Sequence, residues 1–149
     1  MAETLGSLCD KLTIVDLKIW HSRDAARLAS LRKQKTGLQA EINDLVAGAV
    51  GGAVPLEKLS FSANKIYKKK GNAVAAVTGN IGEVFSQLAR ANCAVWHEQE
   101  KVYEFEKVPD REKAVVVKKL AVLNLERNKC MEQLDRLLVG MVKKTRSRR

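Results

Sequence analysis

In IVDLKIWHSRDAARLASLRKQKTGLQAEINDL, Ile14 to Leu45, ten positions follow one another at alternating steps of three and four. They are Ile14, Leu17, His21, Asp24, Leu28, Leu31, Lys35, Leu38, Ile42 and Leu45. That spacing keeps all ten on one side of an α-helix and repeats every seven residues, the pattern of a coiled-coil seam. It predicts one uninterrupted helix from about Leu5 to Ala47. A second stripe of the same kind, Val116, Leu120, Leu123, Arg127, Cys130, Leu134, Leu137 and Met141, predicts a helix from about Asp110 to Lys143. A third, Ile81, Phe85, Leu88, Asn92, Val95, Gln99 and Val102, carries more polar interruptions and predicts a helix from about Asn80 to Lys107.

Between these segments the chain is punctuated rather than patterned. GAVGGAVP, Gly48 to Pro55, has three glycines and a proline without periodicity and reads as a loop. Pro109 suits the first turn of a helix, with Asp110 and Glu112 near its positive end. Leu56 to Val77 reads as a short helix followed by a stretch of small residues. No run alternates with period two for long enough to argue a strand. The expected fold is therefore all-α, a bundle of three long helices plus a short one. Helices of roughly 28 to 43 residues reach about 40 to 60 Å at 1.5 Å per residue. The first would project beyond its partners, so a homo-oligomer or a place in a larger assembly is expected.

At 149 residues and 46% hydrophobic content the chain can bury a core as one domain, residues 1–142, followed by a basic tail, residues 143–149. Cys9, Cys93 and Cys130 form neither an even disulfide framework nor a C-x-x-C pair, and read as free buried thiols in a reducing compartment. No leader-like basic and apolar sequence opens the chain, and no segment has the roughly 18 apolar residues of a membrane span. A cytoplasmic protein without membrane contact is expected.

The net charge of +10 is unevenly placed. Five cations, Lys143, Lys144, Arg146, Arg148 and Arg149, lie in KKTRSRR, and Lys65, Lys68, Lys69 and Lys70 lie in KIYKKK. The other 18 basic residues nearly balance the 17 acidic ones. Such runs can engage phosphates by counterion release, and Tyr67 could stack on a base. Nucleic acid, the ribosome or an acidic protein would each serve as partner.

Both tryptophans and both histidines occur as two Trp-His dipeptides, Trp20-His21 and Trp96-His97, each with a carboxylate three residues after the histidine, Asp24 and Glu100. Aligning the two pairs, with about sixteen extra residues around Pro109, also sets Lys35 on Arg127, which suggests an internal duplication. Residues three apart share a helix face, so each histidine and its carboxylate can point the same way. Burying them unpaired would cost several kcal/mol. Asn124, Arg127 and Asn128 of NLERN offer partners. A polar layer of His21, Asp24, Lys35, His97, Glu100, Asn124, Arg127 and Asn128 would satisfy them all.

Three roles for that layer stand side by side. It can fix helix register. It can bind an anion or small ligand through Arg127, Lys35 and the histidines. It can hold a divalent metal ion on His21, Asp24, His97 and Glu100, although the order H-x-x-D/E reverses the E-x-x-H of di-iron bundles. No phosphate-binding glycine loop and no G-x-S-x-G elbow occurs, Cys93 has no nucleophile setting beyond lying one turn before His97, and catalysis is unsupported.

KLTIVDLKIWH, WHEQE and LNLERNKCMEQLD together resemble a family of small uncharacterised bacterial all-helical proteins with Trp-His-x-Glu-like and Leu-Asn-x-x-Arg-Asn-like motifs. The resemblance spans Leu12 to His21 and Gly82 to Leu138. It implies a helical fold in which His97, Glu100, Asn124, Arg127 and Asn128 belong together, and it implies no substrate. Ser22 to Asp24 departs from the motif. The expected function is a non-catalytic helical assembly or interaction protein whose basic tail meets an acidic partner or nucleic acid. The competing expectation is a bundle that binds a metal or small ligand at the polar layer.

Overall fold

The computed structural model describes residues 3–62 and 74–148. Four α-helices carry the chain: α1 (Leu5–His21), α2 (Ala25–Gly51), α3 (Ile81–Tyr103) and α4 (Asp110–Ser147). Single 3-10 turns at Leu56–Lys58 and Phe105–Lys107 complete the regular structure, and no strand occurs among the described residues. The protein is all-α.

The helix expected from Leu5 to Ala47 is two helices. Ser22 leaves the helical region at φ −96°, ψ 141°, and Asp24 begins α2 by accepting a 2.7 Å hydrogen bond from the Arg27 N–H. An aspartate cap contributes about 1 kcal/mol. The larger gain comes from packing the two helices together: Leu8 and Val15 of α1, which lie off the stripe, bury against Leu31 and Leu38 of α2, which lie on it. Each such side chain gains roughly 1.5–3 kcal/mol by leaving water. A straight helix would leave both halves exposed.

Cross-helix contacts fix the directions. Lys35 of α2 pairs with Asp16 of α1 at 2.7 Å, so these two helices run antiparallel. On α4, Arg127 meets Asp10 and Asp135 accepts the Gly6 N–H, so α4 is antiparallel to α1. From α3, Asn92 reaches Asp10 and Trp96 reaches His21, which makes α3 parallel to α1. Capping boxes at Thr4/Ser7 and Asn80/Glu83 start α1 and α3. The main core gathers Leu5, Cys9, Leu59, Val84, Leu88, Cys130, Leu134, Leu138 and Val142. All three cysteines are free, and burial pushes the Cys9 and Cys130 thiols up to about 11, so both stay protonated at neutral pH.

The basic run expected as a tail, residues 143–149, begins within α4. α4 continues to Ser147, since nothing after Gly140 breaks a helix and cations suit the negative end of its dipole. Arg146 is an internal clamp: its guanidinium donates to the Ala49 carbonyl at 2.9 Å and the Val54 carbonyl at 2.8 Å. It thereby closes the end of α2, where Gly52 adopts a left-handed φ of 89°. Lys143, Lys144 and Arg148 are exposed. Lys65, Lys68, Lys69, Lys70, Tyr67 and Arg149 lie outside the described residues.

Asp135 gives the fold a pH signature. Its Oδ1 accepts the Gly6 N–H at 2.7 Å in the first turn of α1, yet burial pushes its carboxyl from 3.8 up to about 6, assisted by the charge of Glu132. The folded state therefore holds a proton more firmly than the unfolded one. Its stabilising contribution is complete below about pH 4 and lost as pH rises through about 6. Asp135→Asn keeps the acceptor for Gly6 and removes the charge. Its stability relative to the wild type should rise by up to about 3 kcal/mol across that window, then stay level. Denaturant midpoints at pH 4, 5, 6 and 7 measure this; a flat difference curve would refute it.

Candidate functional site

Arg127 anchors a polar cluster that joins α1, α3 and α4. The Nε–H donates to Asp10 Oδ1 at 2.7 Å and Nη2 to Oδ2 at 2.5 Å, a bidentate pair across α4 and α1. These bonds raise the guanidinium's pKa further and keep it charged. Asn92 of α3 adds Nδ2–H bonds to Asp10 Oδ1 at 2.9 Å and to Thr13 Oγ1 at 2.6 Å. The Thr13 hydroxyl donates in turn to the Asp10 carbonyl at 2.8 Å. Asn124 lies at the margin, its Oδ1 3.5 Å from Arg127 Nη1.

Asn92 is fully buried, yet its Oδ1 has no hydrogen-bond partner. Turning the amide over would set that oxygen against the Asp10 carboxylate, so its orientation is fixed by charge. Leaving a buried carbonyl unsatisfied costs about 1–3 kcal/mol.

Asn92 and Arg127 form part of the wall of a cavity of about 460 Å³. Ile14, Val95, Trp96 and Tyr103 make it apolar and aromatic; Lys18, Arg27, Gln99 and Glu100 make its remaining edge polar. Its size falls within the roughly 300–1,000 Å³ of small-molecule pockets. Trp96 is held on two sides. Its ring stacks on His21 with centroids 5.0 Å apart and an interplanar angle of 14°. Its Nε1–H donates to Glu100 Oε1 at 2.8 Å, while His97 Nδ1 lies 3.5 Å from Glu100 Oε2.

The expected polar layer is thus only partly assembled. Arg127, Asn124 and Glu100 come to the site, and His21 supports it through Trp96. Asp24 is instead the α2 cap, Lys35 pairs on the surface with Asp16, His97 is exposed, and Asn128 is half-buried on α4 without a described role. His21, Asp24, His97 and Glu100 do not converge as metal ligands. Among the described residues no group of three or more His, Cys, Asp or Glu could hold a metal ion. The Ser22–Asp24 turn is the reason, because it takes Asp24 off the helix that carries His21. The two Trp-His pairs also differ in setting: Trp20 is 85% exposed, whereas Trp96 is half-buried.

Asp10 and Thr13 were absent from the expected layer, and Asn92 stood only as an interruption in its stripe. Asp10 sits four residues before Ile14, so extending the first stripe one step back reaches it.

Fold and site together define an all-α protein with an aromatic-walled, polar-edged cavity, beside which Arg127 and Asn92 meet the buried Asp10. No family model, curated protein or solved structure matches this chain. Among the described residues no helix is long and apolar enough to cross a membrane.

Proposed function

We propose that the chain is a non-catalytic binding protein for a small organic anion, held in the cavity between α1, α3 and α4 of a helical bundle. The observation that carries this reading is the cavity of about 460 Å³ itself, walled by Ile14, Val95, Trp96 and Tyr103, with the cations Lys18, Arg27 and Arg127 in its lining. Three cations and one carboxylate, Glu100, share its lining with aromatic and apolar side chains, which suits an anion with an apolar body.

Native mass spectrometry of the full chain, purified without chelator or affinity metal, tests the proposal. The wild type should carry a small-molecule adduct. Gln99→Trp, which places an indole into the cavity from an exposed position, should fold normally by circular dichroism and lose it. An adduct equally retained by Gln99→Trp would place binding elsewhere and overturn the proposal.

A further inference from the structure

The cavity continues outward. A smaller hollow of about 250 Å³ at the turn between α1 and α2 is walled by Lys18, His21, Arg23, Arg27 and Trp96. It shares Lys18, Arg27 and Trp96 with the larger cavity, so the two form one groove. Lys18, Arg23 and Arg27 have no carboxylate at ion-pair distance from their side chains among the described residues. Asp24, the acid in the hollow's wall, is occupied by the Arg27 backbone N–H.

The two ends of the groove therefore ask for different chemistry. At the outer end three cations face one committed carboxylate, an excess of two positive charges that a dianion would neutralise. At the inner end Arg127 is already neutralised by Asp10, and the wall offers Ile14, Val95 and Tyr103 rather than a second free charge. A carboxylate needs one arginine fork. A phosphoryl group carries nearly two charges and three acceptor oxygens, and planar guanidinium forks match it. Between the ends lies Trp96, one face covered by His21, beside Val95 and Ile14, which suits a compact ring.

We infer that the groove takes a phosphorylated small molecule with a compact ring. The phosphoryl group sits among Lys18, Arg23 and Arg27, and the ring lies along Trp96. The inference rests on the proposed binding function. Sugar phosphates and nucleoside monophosphates share this chemistry, and the experiment separates them.

Isothermal titration of the full chain would use glucose 6-phosphate, ribose 5-phosphate and adenosine monophosphate, with ribose, inorganic phosphate and citrate as counterparts. At least one phosphorylated ring should bind tenfold or more tighter than all three counterparts. Arg23→Gln/Arg27→Gln, at two exposed side chains, should weaken it at least tenfold without changing the melting temperature. Which of the three binds identifies the source. Inorganic phosphate binding as tightly as the ring compounds would mean an adventitious ion only. Citrate binding as tightly, and blocked by Gln99→Trp, would overturn the phosphoryl preference and leave anion binding standing. Ring phosphates insensitive to Arg23→Gln/Arg27→Gln would overturn the placement. No binding by any probe, with no adduct in the native spectrum, would overturn both.

Discussion

Arg127→Met is expected to cost about 3–5 kcal/mol, because it leaves the buried Asp10 carboxylate without its cation. For a chain of this length that lowers the melting temperature by roughly 10 °C. The methionine keeps most of the packing volume, so the loss reports charge rather than a cavity. The double variant Asp10→Leu/Arg127→Met removes both charges and should recover more than half of the loss, since a buried ion pair gains little over well-packed apolar side chains. Asn92 then keeps its bond to Thr13. Chemical denaturation of the four members of the cycle measures the coupling. A single variant within about 1 kcal/mol of wild type, or a double variant no better than the single, would mean that Asp10 and Arg127 are not the pair that ties α1 to α4. Arg127 is unsuited to testing ligand binding, because its loss disturbs the fold as well as the cavity.

The helical class was legible in the three stripes, but only part of the core was: α1 packs through Leu5, Leu8, Cys9 and Val15, and α4 also through Leu138 and Val142, all of them off the stripes. What the stripe did not carry was the turn at Ser22–Asp24. Leu17, His21, Asp24 and Leu28 keep the three-four rhythm straight through the break, and neither glycine nor proline marks it. Serine and aspartate are cap formers, but periodicity outweighed them. The consequence reaches further than one boundary. A 43-residue helix was the ground for expecting an oligomer, and α1 and α2, at 17 and 27 residues, cover each other instead.

The site was legible where charge met an apolar stripe. Arg127 interrupts the stripe of α4, and a buried cation demands a carboxylate, so its importance followed from sequence. Its partner did not, because helix pairing decides whether Asp10, Asp24 or Glu100 stands opposite it. The repeated Trp-His phrase drew attention to His97 and Asp24, which are exposed. Its structural meaning is a contact between the copies: the histidine of the first stacks on the tryptophan of the second. Arg146 shows the same limit. A basic run reads as a tail, and only the end of α2 reveals that one of its cations is a clamp.

Among the described glycines Gly6→Ala should be the most damaging change, with an expected loss of about 3 kcal/mol or more, at the upper end of overpacking costs. A Cβ at Gly6 would collide with the Met131 carbonyl oxygen and stand 2.7 Å from its Cα, a contact with backbone that cannot rotate away. Relief requires α1 to move off α4, which stretches the 2.7 Å Gly6 N–H bond to Asp135 and opens the packing of Leu5 and Cys9. The same displacement would loosen the Asp10–Arg127 pair one turn further along. Gly37 supplies the control. It lies mid-way along α2 with nothing within 4 Å of the place a methyl group would occupy, so Gly37→Ala should stabilise by about 0.5–1 kcal/mol through helix propensity alone. Opposite signs for one substitution on two helices, read from urea midpoints, would locate the close approach of α1 and α4. Equal and small effects would show that the two helices do not meet at Gly6 and Met131.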